Sequence, residues 1–235
     1  MTYTGDVRPG GPSDVRVLDE VEVRKASVGQ MDNNAYLVTC RHTGAQLLVD
    51  AAAEPERLLE LVREGAATAR LDGIVTTHRH PDHLSALASV VAVTGAPLLA
   101  GAADADAVAA AADRAVCRRL HDGDTVPVGH AVLEVIGLRG HTPGSIALAY
   151  REPEHVHEPD AVAGRVHLFT GDSLFPGGVG ATGNDRARFD QLFGDVTAKL
   201  FDRFADETWV YPGHGSDTTL GAERPQLEVW QARGW

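Results

Sequence analysis

The chain has 235 residues, 43% of them hydrophobic, and carries a net charge of −12 at pH 7. This length supports one domain with a sizeable core, and the acidic excess disfavours a nucleic-acid partner because it repels phosphate backbones. The N-terminus lacks a signal segment, no apolar run approaches the roughly 20 residues of a membrane span, and the two cysteines form no CxxC pair. We therefore expect a single cytoplasmic domain over residues 1–235, without a membrane partner, as a monomer or homodimer.

The first half of the sequence predicts strands that alternate with helices. A glycine- and proline-rich segment over residues 1–15 predicts a loose arm. Apolar patterning then predicts strands at 15–23, 36–38, 46–50, 73–77 and 97–100. Apolar residues at helical spacing predict helices at 55–65, at 84–91 and, weakly, in the alanine-rich segment 102–115.

In the second half the apolar pattern changes to a period of two. Strands are predicted at 125–128, 131–136, 145–150, 166–170 and 208–211. The charged segment 152–164 predicts an exposed loop, and apolar residues from Phe189 to Phe204 predict a long amphipathic helix. A short helix is expected after Pro225.

Side chains that bind metals concentrate at the ends of these strands. Residues 76–84 read T-T-H-R-H-P-D-H-L, which places four such side chains within six positions: His78, His80, Asp82 and His83. Three later candidates also follow predicted strands: His141, Asp172 and His214. Loops at strand ends are where a rigid scaffold places reactive groups, and imidazole and carboxylate are ligands that zinc prefers. The sequence therefore predicts a metal site rather than a polar turn with histidine caps.

Four motifs occur in order along the chain: T-T-H-R-H-P-D-H-L (76–84), G-H-T-P-G-S (140–145), G-D-S-L-F (171–175) and P-G-H-G (212–215). In these motifs the chain resembles the metallo-β-lactamase fold superfamily over roughly residues 30–220. Within it, the chain most resembles the hydroxyacylglutathione hydrolase, or glyoxalase II-like, branch. The resemblance implies an α/β fold with four αββα layers, in which two mixed β-sheets lie face to face, helices lie outside, and metals bind at one edge.

The resemblance also implies an enzyme with two divalent metal ions, with zinc expected and iron or manganese compatible. The first ion would be held by His78, His80 and His141, the second by Asp82, His83 and His214, and Asp172 would bridge the two. Asp50, which ends a buried strand, would either orient a ligand histidine or act as a cap.

The predicted reaction is hydrolysis of a small thioester or ester. Two divalent ions would lower the pKa of bound water from about 15.7 to roughly 7, so that a bridging hydroxide attacks the carbonyl carbon while Asp82 holds its proton. Predicted contacts to a small-molecule substrate are Asn33, Asn34 and Phe175, although turn formation explains asparagine and glycine in these segments equally well.

Other activities of the same fold stay open. One is a persulfide dioxygenase with a single iron, and another is a lactonase or β-lactamase-type amide hydrolase, although Asp172 stands where several such enzymes have cysteine. Glutathione specificity is weakened because residues 180–185 lack the arginine that glutathione-specific relatives carry. The residues after 215 also leave little room for the helical domain that contacts glutathione in longer relatives. A metal-stabilised binding module is the non-enzymatic alternative.

The other histidines and both cysteines are expected to lie outside the site. They are isolated or lie in the charged loop: Cys40, His42, Cys117, His121, His130, His155, His157 and His167. Nothing in the sequence near either cysteine would lower the pKa of its thiol.

Overall fold

The computed structural model describes residues 3–66 and 70–234, within which strands form two facing sheets and a short hairpin. The first sheet contains β1 (Asp14–Val17), β2 (Val21–Val28), β3 (Asn33–Cys40), β4 (Gln46–Val49), β5 (Gly73–Thr76), β6 (Leu98–Gly101) and β7 (Arg118–Leu120), in that order. Strands β1 to β4 pair antiparallel and β4 to β7 pair parallel, so the sheet is mixed.

The second sheet is built from the second half of the chain. Its strands are β8 (Thr125–Val128), β9 (Ala131–Gly137), β10 (Ile146–Arg151), β11 (Val166–Gly171), β14 (Trp209–Pro212) and β15 (Thr218–Thr219), and the hairpin consists of β12 (Leu174–Phe175) and β13 (Gly178–Val179). The order across the sheet is β15–β14–β11–β10–β9–β8. Only the β11–β14 pair among these strands is parallel.

Helices cover the outer faces of both sheets. They are α1 (Pro55–Gly65), α2 (Leu87–Thr94), α3 (Ala105–Ala112), α4 (Arg186–Val196), α5 (Leu220–Glu223) and α6 (Leu227–Arg233). Among the described residues, no helix has the length and apolar character needed to cross a membrane.

The apolar core explains why the layers stack in this order. Between the sheets, Tyr36 and Val49 of the first sheet share a buried cluster with Phe169 of the second. A separate cluster packs α1 to α3 against the first sheet, and another packs α4 and α6 against the second. Helices that each bury one apolar face against a sheet give four αββα layers. The predicted α/β sandwich is therefore confirmed.

Some predicted boundaries were wrong at the N-terminal end. The stretch 15–23 is two strands, because Leu18 N donates to Val21 O in a tight turn between β1 and β2. Residues 3–5 are not a loose arm: Tyr3 is buried, and its hydroxyl donates to Asp217 Oδ2 at 2.7 Å. Residues 1–2 of that predicted arm lie outside the described residues.

Other differences concern short elements and one buried carboxylate. The long helix predicted to Phe204 is α4 followed by a π-helical turn over Thr197–Phe201. Strand β7, strand β15 and the β12–β13 hairpin were missed because each has only two or three residues. The predicted exposed loop 152–164 begins with a buried residue, Glu152.

Three strands end at the same edge of the sandwich and position the candidate site. Strand β5 ends at Thr76, β11 at Gly171 and β14 at Pro212, and candidate ligands follow each within two residues. A short 3₁₀ turn, Pro81–His83, presents the remaining side chains of the H-x-H-x-D-H motif.

Candidate metal centre

The strand ends bring the predicted ligands together. Among the described residues, the ligand atoms of His78, His80 and His141 (the first group) all lie within 4.8 Å of one another, as do those of Asp82, His83 and His214 (the second group). A further set with the same spacing joins His78, His83 and Asp172. Two ligands about 2.1 Å from a tetrahedral ion lie about 3.4 Å apart, so these groups could hold metal ions.

Asp172 lies between the two groups. Its Oδ2 is 3.6 Å from His141 Nε2 and 3.9 Å from His78 Nε2, both of the first group. The same oxygen is 3.4 Å from His214 Nε2, and Oδ1 is 3.2 Å from His83 Nε2, both of the second group. These distances suit a carboxylate that contacts both sites at once.

Hydrogen bonds turn the imidazole rings so that Nε2 faces inward. His141 Nδ1 donates to Ala181 O at 2.8 Å, and His214 Nδ1 donates to Met31 O at 2.8 Å. The Nε2 atoms of His78 and His141 are buried and have no hydrogen-bond partner among the described residues. Buried polar atoms without a partner are uncommon unless an ion or water satisfies them, so the donor set fits a metal.

Asp50 supports ligands of both groups, which decides between its two predicted roles. Its Oδ2 accepts hydrogen bonds from His83 Nδ1 at 2.9 Å and from Thr77 Oγ1 at 2.7 Å. Thr77 Oγ1 in turn lies 3.1 Å from His78 Nδ1. Asp50 also has a φ of 60°, and such backbone strain in a non-glycine residue is concentrated at functional sites. Asp50 therefore orients histidines of both candidate groups, His83 directly and His78 through Thr77.

In the first group, burial keeps the imidazoles of His78 and His141 neutral. Burial lowers the pKa of His78 well below its ordinary value, and the neighbouring His83 lowers it further. Burial also lowers the pKa of His141, against the opposing charge of Asp172. A neutral imidazole offers its lone pair to a cation, so both rings are in the state that a metal needs.

In the second group, carboxylates outweigh burial. Burial lowers the pKa of His83, but the charges and hydrogen bonds of Asp50 and Asp172 raise it to about 10. Asp172 likewise raises the pKa of His214 in spite of its burial. Burial raises the pKa of Asp172 itself, yet hydrogen bonds from His214 and His83 hold it well below its usual range. The group is an anionic environment that favours a positive charge.

Asn33 positions the predicted catalytic carboxylate. Its Nδ2 donates to Asp82 Oδ2 at 2.9 Å and lies 3.5 Å from His214 Nε2. Burial raises the pKa of Asp82, but the hydrogen bond from Asn33 brings it below its ordinary value. Asp82 is thus held ionised within the second group, and Asn33 faces the site.

A protein-family model described as the metallo-beta-lactamase superfamily matches residues 28–215, which include every predicted ligand. The chain belongs to the metallo-β-lactamase superfamily. This confirms the resemblance seen in the motifs and agrees with the prediction of an enzyme, since relatives of the chain are named hydrolases.

Individual relatives agree with this assignment. The chain is 34% identical over 190 residues to a hydroxyacylglutathione hydrolase of Polaromonas sp. (strain JS666), a match that covers 77% of this chain and 62% of the relative. The chain therefore spans less than two thirds of that relative. Among solved structures, TTHA1623 in a di-iron-bound form is 30% identical with a TM-score of 0.60, covering 84% of this chain and 95% of that one. ETHE1 from Myxococcus xanthus is 27% identical with a TM-score of 0.66, covering 86% and 81%.

The other two predicted substrate contacts, Asn34 and Phe175, have different surroundings in this metallo-β-lactamase fold. Asn34 is buried, and its Nδ2 donates to Pro212 O at 3.0 Å and Gly215 O at 2.9 Å. Asn34 therefore has no free donor for a substrate and instead fixes the loop that carries His214. Phe175 lies on the β12–β13 hairpin with its ring centroid 6.2 Å from that of His214, at the rim of the site.

A buried ion pair that the sequence did not reveal holds the same loop. Lys25 is fully buried, and its Nζ donates to Gly215 O at 2.7 Å and to Asp217 Oδ1 at 2.7 Å. A buried charge needs such partners. A lone lysine in an alternating strand gives no sequence signal, because its partner lies 192 positions away.

The other buried histidine belongs to a separate cluster. His167 Nε2 donates to Glu152 Oε1 at 2.7 Å, and its Nδ1 accepts from the hydroxyl of Tyr211 at 2.9 Å. Burial lowers the pKa of His167 to about 4 in spite of Glu152. Both ring nitrogens are paired, so this histidine has no atom left for a metal.

Proposed function

We propose that this member of the metallo-β-lactamase superfamily is a metal-dependent hydrolase that cleaves a small thioester or ester. The observation that carries the proposal is the pair of ligand groups with the Asp172 carboxylate between them. The likeness to the Polaromonas hydroxyacylglutathione hydrolase supports a thioester. Because the match spans 62% of that protein, the proposal does not extend to glutathione itself.

The residues that would hold the metals are the first group, the second group and Asp172 between them. Bound divalent ions supply ionised water at neutral pH and polarise a carbonyl oxygen. The imidazole and carboxylate donors suit zinc. The di-iron form of TTHA1623 supports iron as the alternative.

Asp82 is the proposed acid–base residue of this chain. Its Oδ2 lies 3.3 Å from His214 Nε2 and accepts a hydrogen bond from Asn33 Nδ2 at 2.9 Å, which holds the carboxylate at the site. With its pKa below the ordinary value, Asp82 is ionised at neutral pH. It can accept a proton from attacking water and return it to the leaving thiolate or alkoxide.

The loop at residues 180–185 contains no arginine for glutathione, and its contacts serve the protein itself. Ala181 O accepts the hydrogen bond from His141 Nδ1, so this part of the loop serves a predicted ligand. Asp185 caps α4 by accepting from the backbone N–H groups of Ala187 and Arg188. The loop therefore supports the site and the helix. Phe175 at the rim is the proposed contact to an apolar part of the substrate.

The second candidate, a persulfide dioxygenase with one iron, needs only one of the two groups. Because such a dioxygenase has much the same motif set, the number of metal ions per chain and the uptake of oxygen separate it from the dinuclear hydrolase. A lactonase or β-lactamase-type activity would use the same groups and differs only in the substrate. Cytoplasmic location and a monomeric or homodimeric state stay predictions.

A substrate panel combined with elemental analysis tests the proposal. The purified protein is assayed with a glutathione thioester of a 2-hydroxy acid, a thioester of another small thiol, a lactone, nitrocefin and glutathione persulfide, with oxygen uptake recorded. We expect thioester hydrolysis without oxygen uptake and about two metal ions per chain. Oxygen uptake with one iron per chain would identify the dioxygenase, and fewer than one metal ion per chain would refute both.

A further inference from the structure

We infer that Asp104 is the positioning residue of the first group: its carboxylate ties together the two loops that carry His78, His80 and His141. The inference deepens the proposed function and rests on it, since the first group is taken to hold a metal. Asp104 was not singled out by the sequence, where it is one of several aspartates in an alanine-rich stretch.

Each carboxylate oxygen of Asp104 accepts hydrogen bonds from the loops that carry the first group. Asp104 is 1% exposed and directly precedes α3. Its Oδ2 accepts from Arg79 N at 3.1 Å and from Thr142 Oγ1 at 2.5 Å, and its Oδ1 accepts from Gly144 N at 3.0 Å. Arg79 stands between two of the histidines, and Thr142 follows the third. One side chain therefore fixes the spacing of all three ligands.

The contact between Asp104 and the G-H-T-P-G-S loop is too close for a larger residue. A Cβ added at Gly144 would lie 2.4 Å from Asp104 N and 2.7 Å from its Cγ. A Cβ added at Gly101 would lie 1.9 Å from Gly144 O. Thr142 and Gly144 therefore form the surface that Asp104 contacts.

The contacts require a carboxylate rather than an amide. Asp104 accepts every one of these hydrogen bonds and donates none, and Arg79 Nε lies 3.6 Å from its Oδ1. An asparagine has one acceptor oxygen and one donor NH₂ group. In one orientation its NH₂ would face the part-buried backbone N–H of Arg79, and in the other the buried backbone N–H of Gly144, and that N–H would lose its partner.

The support from Asp104 is confined to the first group. Among the hydrogen bonds and ion pairs of the described residues, Asp104 contacts neither Asp82, His83 nor His214. Asp50, in contrast, binds His83 directly. Loss of Asp104 should therefore weaken one metal-binding step and leave the other unchanged.

Metal titration of the full chain tests this inference without reference to turnover. Metal-free wild type and Asp104→Asn are titrated with zinc in competition with a chelating dye, and His80→Ala and His214→Ala identify which step belongs to which group. We expect Asp104→Asn to weaken the step lost in His80→Ala about 10- to 100-fold and to leave the step lost in His214→Ala unchanged. Glu152→Gln, which removes a buried carboxylate far from both groups, should leave both steps unchanged.

A second pair of variants covers the case in which Asp104→Asn does not fold. Thr142→Val removes the hydroxyl that donates to Asp104, and Thr142→Ser keeps it. The inference predicts a weakened first step in the valine variant and wild-type affinity in the serine variant. Unchanged affinities in both Asp104→Asn and Thr142→Val, or equal weakening of both steps, would overturn it. Two tight metal sites without turnover of any substrate would refute the proposed function and leave the role of Asp104 standing.

Discussion

Buried histidines occur at both ends of β11, and only one end has the character of a metal site. At the start of the strand, both nitrogens of His167 are paired, with Glu152 and Tyr211. At the other end, beside Asp172, the Nε2 atoms of His78 and His141 are equally buried and have no hydrogen-bond partner among the described residues. The comparison teaches that burial of histidine does not identify a metal ligand. Convergent, unpaired nitrogens are the stronger indication of a metal site.

The two ends of β11 also differ in how their carboxylates are neutralised. Glu152 is paired with Arg165 at 2.8 Å, so its cluster is neutralised by the protein itself. At the end of β11 that carries the candidate metal centre, which we call the metal edge, the carboxylates of Asp50, Asp82 and Asp172 lie beside imidazoles. Among the described residues, none of the three pairs with a lysine or an arginine. Since buried anions require compensation, this edge is suited to bind cations and the other end is not.

The largest expected effect is on activity, and it comes from comparing a histidine variant at the metal edge with one at the other end of β11. His80→Ala should lower kcat/KM by about 10³-fold or more, because a metal site supplies several kcal/mol of transition-state stabilisation. His167→Phe should leave kcat/KM within a few-fold of wild type. Both variants are assayed on the best thioester of the panel, with circular dichroism to check folding. If a folded His80→Ala protein kept full activity, the metal edge would be no more important for catalysis than the other end of β11.

The sequence predicted the candidate metal ligands better than it predicted the residues that hold those ligands in place. The H-x-H-x-D-H spacing and the later motifs led to every residue of both groups, because ligand types crowd together at strand ends. Asp104 and the Lys25–Asp217 pair were missed because each meets its partners only after distant segments pack together. Asn34 was misjudged for a related reason: its amide faces the backbone of a loop that lies 178 positions later.

The next effect is on stability, and it tests the paired end of β11. His167→Phe would remove the buried hydrogen bonds that His167 makes to Glu152 and to the hydroxyl of Tyr211, which should lower the free energy of unfolding by about 2–4 kcal/mol. His42→Ala is the matched control because this histidine is exposed, and it should change stability by no more than about 0.5 kcal/mol. Urea unfolding of the metal-free proteins measures both. Equal stability of the two variants would show that the hydrogen bonds of His167 contribute nothing.

The smallest effect is a pH dependence that the same histidine imposes on folding. His167 has a pKa of about 4 in the folded protein and about 6.5 when unfolded, so the unfolded chain binds more protons between these values. Its contribution to stability is therefore complete above pH 6.5 and is lost as the pH falls toward 4, by up to about 1.4 kcal/mol per pH unit. Titration of the ¹³C-labelled ring by NMR isolates this residue from the metal edge, and its C2–H signal should stay unchanged from pH 8 to pH 5. A midpoint near 6.5 would mean that burial does not shift the pKa of this ring, and that the cluster at this end of β11 does not exclude a positive charge.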